Sequence, residues 1–172
     1  MPTRLSPNIV YTASTLLLLG APAGAADGAS QPKPIGIVDF DYADTSSEVR
    51  DQAAKHRALL EAFMASLRRD LEASGRYRLV PLNCEPEPCS TANPEVLLGA
   101  ARRAGAALML YGGIHKESTL VQWAKVQMAD VPTDTAVYDR LYTFRGDDDT
   151  AWNRAEAFLA TDLKAQDFGE TK

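Results

Sequence analysis

Cysteine and histidine are scarce in this chain, with two of each among 172 residues. A structural zinc site needs about four Cys or His ligands, and no histidine lies near Cys84 or Cys89 in sequence. These two cysteines enclose Glu-Pro-Glu-Pro. That is not the two-residue spacing at a helix start that marks a redox-active pair. An excess of positive charge is also missing. Lys and Arg number 18 against 23 Asp and Glu, for a net charge of −5. Nucleic-acid binding needs basic charge to displace counterions, so that class is not expected. No nucleophile elbow is present. Gly112-Gly113 does not lead into a helix, so it cannot set a phosphate at a helix N-terminus. Beyond the first residues no apolar run is long enough to cross a bilayer, which excludes permanent membrane insertion.

What is present begins with the N-terminus. Arg4 precedes an apolar run over residues 9–21 centred on four leucines, and Ala21-Pro-Ala-Gly-Ala-Ala26 supplies small residues for cleavage. This is the layout of a secretory signal peptide, assigned to residues 1–25. A flexible leader is expected over 26–34, one domain over 35–165 and a polar tail over 166–172. Export to a bacterial periplasm follows, and there an even pair of cysteines reads as a Cys84–Cys89 disulfide that shapes a loop. At 45% apolar residues the exported chain is expected to fold.

Periodicity predicts the elements. Ile35 to Phe40 reads as a buried strand and Asp41 to Ser47 as a turn. Thr45 and Glu48 form a capping box for a helix carrying Val49, Ala53, Leu60, Phe63, Met64, Leu67 and Leu71, stopped by Gly75. Tyr77 to Leu82 is a second strand, limited by Pro81. Asn93-Pro94-Glu95 starts a second helix. Ala106 to Ile114 is a central strand, followed by a turn at His115 to Ser118. Alternating residues from Thr119 to Val131 and from Ala136 to Phe144 form a hairpin, and Asp147-Asp-Asp149 opens a last helix. The order β-α-β-α-β-β-β-α predicts a mixed α/β domain with a five-stranded sheet packed by helices.

Each chemical candidate competes with an ordinary structural role. Asp39, Asp41 and Asp44 suit a cation or acid–base pair, but equally turn chemistry. Ser118, His115 and Asp130 make a triad only on paper, without an oxyanion hole. The aromatic residues offer more. If Leu120, Ala124, Val126 and Met128 face the helices, Trp123 and Lys125 face away, and cross-strand pairing groups them with Tyr138, Arg140 and Tyr142 on one sheet face. Trp, Tyr and Arg are the residue types enriched in interface hot spots. The competing explanations are that a helix covers this face, or that alternating Tyr and Arg simply make good strand neighbours.

Four stretches in combination carry a resemblance: Val38-Asp-Phe40, Gly75-Arg-Tyr-Arg-Leu-Val80, Arg103-Ala-Gly-Ala-Ala107 with Gly112-Gly113, and the hairpin bearing Met128-Ala-Asp-Val131 and Tyr142-Thr-Phe-Arg-Gly146. The chain resembles a family of short predicted secreted bacterial proteins of unknown function. It is also similar in outline to the N-terminal domain of periplasmic TolB, shared with CsgG and LpoB. The resemblance implies a non-catalytic accessory or protein-interaction domain of the cell envelope, with no cofactor and no metal. The implied partner is an envelope or periplasmic protein, met by a monomer or weak homodimer. The propeller of TolB and the lipid anchor and pore segments of CsgG have no counterpart here. Two other readings stand beside it: small-molecule binding as an accessory of a periplasmic oxidoreductase pathway, and a secreted hydrolase.

Overall fold

The computed structural model describes residues 31–168. The expected signal peptide and the first part of the leader lie outside the described residues. Nine elements follow in order: β1 (Lys33–Ile37), β2 (Asp41–Asp44), α1 (Ala53–Ala73), β3 (Tyr77–Leu79), α2 (Pro94–Arg103), β4 (Leu108–Lys116), β5 (Val121–Asp130), β6 (Thr135–Arg145) and α3 (Asp149–Ala165). The strands form one mixed sheet in the order β3-β1-β4-β5-β6, with β2 also paired to β4. Pairs among β1 to β4 are parallel and the β4–β5–β6 meander is antiparallel. This is the predicted mixed α/β architecture, with six strands in place of five.

The added strand is β2, which the sequence reads as a turn. β1 and β2 lie on the same side of β4, Ile37 beside Leu110 and Asp41 beside Gly113. The chain takes four steps where β4 takes three, so together they form one strand with a bulge near Asp39. The bulge turns Val38 and Phe40 to opposite faces, each buried in a different apolar cluster. The strand also starts earlier than expected, since Lys33 and Pro34 already pair with β3. At the other end, Phe168 of the expected tail lies edge-on to Tyr138, 5.8 Å between ring centres.

Helix α1 begins at Ala53, not at Glu48. Thr45 and Glu48 do not cap it. Thr45 bonds His115, and Glu48 bonds Lys116 and Gln52. Val49 is therefore fully exposed. The buried stripe of α1 is His56, Leu59, Phe63, Met64, Leu67 and Leu71, at helical spacing. Gly75 follows the helix at φ +70°, where a side chain is disfavoured. Helices α1 and α3 pack together and cover one face of the sheet over a core containing Ile35, Leu110, Val126 and Trp152. Trp152 lies edge-on to Phe63 and Phe144. Helix α2 covers part of the other face through Leu97, Ala100 and Ala101, over Val38, Met109 and Val131.

β4 is central, as expected, and its run Leu108-Met109-Leu110 is buried on both faces. It extends into the predicted turn, as far as Lys116. Gly112 is required where it stands, since a Cβ there would sit 2.3 Å from the Lys125 carbonyl oxygen.

Cys84 and Cys89 form a disulfide, with Cys84 buried in the cluster under α2. The closed loop is short, so its constraint on the unfolded chain is modest. The double variant C84S/C89S is expected to lose about 1–2 kcal/mol in urea unfolding and to keep its secondary structure by circular dichroism. A loss of all folded signal at zero urea would contradict this.

Candidate interaction surface

The five aromatic and cationic candidates do not share a face. Paired residues of an antiparallel ladder point the same way. Tyr138, Arg140 and Tyr142 pair with Met128, Val126 and Ala124, which face α1 and α3. Trp123 and Lys125 pair with Thr143 and Leu141 on the opposite face. The cause is a bulge. Ala129 pairs with Ala136 and Met128 with Tyr138, leaving Val137 as an extra residue. A one-residue slip moves every later side chain to the other face. Without the bulge, Trp123 would stand beside Tyr142 and Lys125 beside Arg140, as the sequence suggests.

The two tyrosines anchor α3. Tyr138 Oη and Tyr142 Oη donate to Asp162 Oδ2 at 2.7 and 2.6 Å, and also touch each other. Burial and the neighbouring carboxylate push the Tyr142 hydroxyl up to about 12 and Tyr138 higher. The same hydrogen bonds hold Asp162 below the usual carboxylate range. Arg140 lies over the Tyr138 ring at 5.7 Å.

The opposite face is open beyond the reach of α2. Three cross-strand rows form it: His115–Trp123–Thr143, Gly113–Lys125–Leu141 and Tyr111–Gln127–Asp139. His115 meets Trp123 edge-on at 4.7 Å and is held by Thr45 Oγ1 at 2.7 Å from Nε2. Lys125 and Gln127 both donate to Asp139. The Lys125 ammonium holds that carboxyl below its usual range. Indole, imidazole and leucine side chains thus sit in fixed positions on a half-exposed sheet.

A second constellation went unrecognised in the sequence. Lys116 is completely buried, and its Nζ lies 2.5 Å from Glu48 Oε2, 3.0 Å from Asp147 Oδ2 and 4.0 Å from Asp44 Oδ2. His56, also buried, bonds Asp147 Oδ1 through Nε2 at 2.8 Å and faces Asp44 through Nδ1 at 3.8 Å. Burial alone would lower the Lys116 ammonium. The hydrogen bonds to Glu48 and Asp147 outweigh it and raise Lys116 above its ordinary value. Burial likewise lifts Asp147, but bonds from Lys116 and His56 bring it below the carboxylate range. A lysine held charged in this way is no nucleophile, which must be neutral. The cluster instead ties β2, the segment before α1, β4 and the start of α3 together.

The other catalytic candidates disperse. Asp39 pairs with Arg68 at 2.8 Å, Asp41 accepts from Thr91, and Asp44 accepts from Ser46. Of the Asp147–Asp149 run, Asp148 caps α3 by accepting from the Ala151 amide at 2.8 Å. Ser118 and Asp130 lie at opposite ends of β5, so no triad forms with His115. Among the described residues no group of three His, Cys, Asp or Glu stands close enough to hold a metal ion. Nor is any helix among them long and apolar enough to cross a membrane.

The fold and this surface define a small mixed α/β domain with helices on both faces and one open sheet region. By sequence, a family model described as "Protein of unknown function (DUF2380)" matches residues 33–163, and the chain belongs to that family. No curated protein matches the chain. Among solved structures, the hypothetical protein CT253 from Chlamydia trachomatis is similar in fold. Its identity is 11%, its TM-score 0.52, and the match covers 77% of this chain and 96% of that one. Lipoprotein GNA1162 from Neisseria meningitidis aligns at 13% identity and TM-score 0.49, over 78% of this chain and 100% of that one. The LpoB C-terminal domain from Escherichia coli aligns at 15% identity and TM-score 0.48, over 69% and 86%. At these identities the likeness is one of fold.

Proposed function

We propose that this chain is a non-catalytic accessory domain of the bacterial cell envelope that binds another protein after export. The observation that supports this reading is the open region of the sheet, where Trp123, His115, Tyr111 and Leu141 stand together beside Lys125. Rigid aromatic side chains on a preformed strand surface lose little entropy on binding, which is why such residues dominate interfaces. The charged groups most suited to chemistry are engaged with one another in the Lys116 cluster. Tyr138 and Tyr142 act in this reading as the support of α3, with Arg140 over the Tyr138 ring, and Trp123 and Lys125 as the contact residues.

The test is site-specific photo-crosslinking in the living source bacterium, with the whole chain carrying the reactive residue at Trp123, Lys125 or Leu141. A discrete adduct with one envelope protein is expected at these positions. None is expected at Glu61, exposed on the outer side of α1. Absence of adducts at all three surface positions would remove this reading.

A further inference from the structure

Among the described residues β6 pairs with β5 only, so along Thr135–Arg145 its outer backbone groups have no described strand beside them. Natural sheets blunt such an edge with short strands, prolines, bulges or charges, lysine above all. β6 has a bulge at Val137 near its start, but from Tyr138 to Arg145 it pairs regularly and contains neither Pro nor Lys. Exposed large apolar side chains gather here instead. Val137 is 40% exposed, Leu141 61% and, on adjacent α3, Phe158 65%. They lie on both sides of the edge. Leu141 belongs to the open face, and Phe158 stands edge-on to Tyr142 at 5.9 Å on the helix side. Between β6 and α3 runs a groove of about 500 Å³, lined by Phe63, Tyr142, Phe144, Ala155, Phe158 and Leu159. Arg145 and Arg154 also line it, and both are exposed. Neither guanidinium has a hydrogen-bond or ion-pair partner among the described residues.

We propose that this edge and groove receive an extended acidic segment of another protein, which adds to the sheet beside β6. The inference rests on the protein-binding reading above and gives the chemistry of the partner. An added strand would satisfy the outer N–H and C=O groups of β6 and place alternate side chains against Phe158 and Leu141. Its carboxylates would meet Arg145 and Arg154, whose planar donors suit carboxylate oxygens. Charge decides against the β6 of a second copy as the added strand. The one carboxylate on β6 is Asp139, already held by Lys125 and Gln127, so a second β6 has none to offer the arginines.

A display library of random twelve-residue peptides, selected on the whole chain, provides the probe. Enriched peptides are expected to alternate apolar residues and to carry at least one carboxylate. A synthetic peptide of that sequence should slow hydrogen exchange across residues 135–145. R145E/R154E should weaken it at least tenfold while leaving thermal unfolding unchanged, and F158S, chosen on the apolar lining, should weaken it as well. Failure to enrich such peptides overturns the proposal. So does equal affinity for R145E/R154E, protection outside β6, or protection of β6 that rises with protein concentration without peptide. A crosslink at Trp123 alongside any of these failures would leave the broader protein-binding reading standing. Protected β6 amides without a crosslink would do the reverse.

Discussion

Replacing Lys116 with methionine is expected to cost about 3 kcal/mol at pH 7, a drop of about 10 °C in the unfolding midpoint. Methionine fills a similar volume, so packing changes little. What remains is a set of carboxylates without their cation. Asp147 is mostly buried and Glu48 partly so. Removing one partner of a buried ion pair strands the other in a medium that solvates it poorly. The figure sits at the lower end of the usual range because Asp44 and Glu48 keep some contact with water. His56 still faces Asp147 and Asp44, and the half-exposed Lys55 stays 3.5 Å from Asp147 Oδ2, which offsets part of the loss.

The pH dependence separates this cause from lost packing. Asp44, Glu48 and Asp147 all have carboxyl groups lowered in the folded protein. Lowered groups add stability above their unfolded values, near pH 4, and that stability is lost as pH falls through the folded values. Asp44 is lowered mainly by its Ser46 hydrogen bonds, which K116M keeps, but the cation that most lowers Glu48 and Asp147 is gone, so protonation of those two acids becomes a relief. The gap between wild type and K116M should therefore close as pH falls from 7 toward 3 in urea titrations. A gap that stays constant with pH would show that the side chain acts through packing alone. In the double variant K116M/D147N, part of the lost stability is expected to return, because the most buried of the stranded charges is removed.

Much of the architecture is legible in the sequence because local signals agree with the final fold. The apolar run before Gly112 marks a strand buried on both faces, Asn93-Pro94 opens α2, and Gly75 closes α1. The failures occur where a local signal is overruled from a distance. Asp41 and Asp44 are poor strand formers, and β2 exists because β4 offers a parallel edge about 70 residues later in the chain. The Thr45–Glu48 pattern matches a capping box, yet both side chains turn to β4 instead. Lys116 follows an apolar strand directly and reads as a solvated turn residue. Only its three carboxylate neighbours, scattered from Asp44 to Asp147, explain its burial.

The interaction surface was half legible for a related reason. Alternation along β5 correctly separates Trp123 and Lys125 from Ala124, Val126 and Met128. Alternation along β6 correctly groups Tyr138, Arg140 and Tyr142. What alternation cannot supply is the phase between two strands once a bulge intervenes. Val137 carries no glycine or proline signal of its irregular pairing. Its effect is large: it sends Tyr138 and Tyr142 to anchor α3 and brings Leu141 and Asp139 onto the open face.

Exchanging Glu156 for glutamine should act in the opposite direction to K116M and stabilise the protein. Glu156 lies on the inner side of α3, is 5% exposed, and its Oε1 has no hydrogen-bond partner. Burial, reinforced by Asp70, pushes its carboxyl up from 4.5 to about 7. A raised acid favours the folded state fully below its unfolded value, and that advantage is lost as pH rises through the folded one. The native protein should therefore lose stability between pH 4.5 and 7, by about 3 kcal/mol for a shift of this size. E156Q keeps the shape and has no proton to lose. At pH 8 it is expected to unfold about 5–10 °C higher than wild type, and at pH 4 to match it closely. With the Lys116 cluster failing in acid and Glu156 costing stability above its unfolded value, the stability optimum falls near pH 5. The two variants alter its flanks separately, since E156Q flattens the alkaline side and K116M the acidic one. A wild-type stability curve that is level from pH 5 to 8 would mean that water reaches the Glu156 carboxylate and relieves its burial.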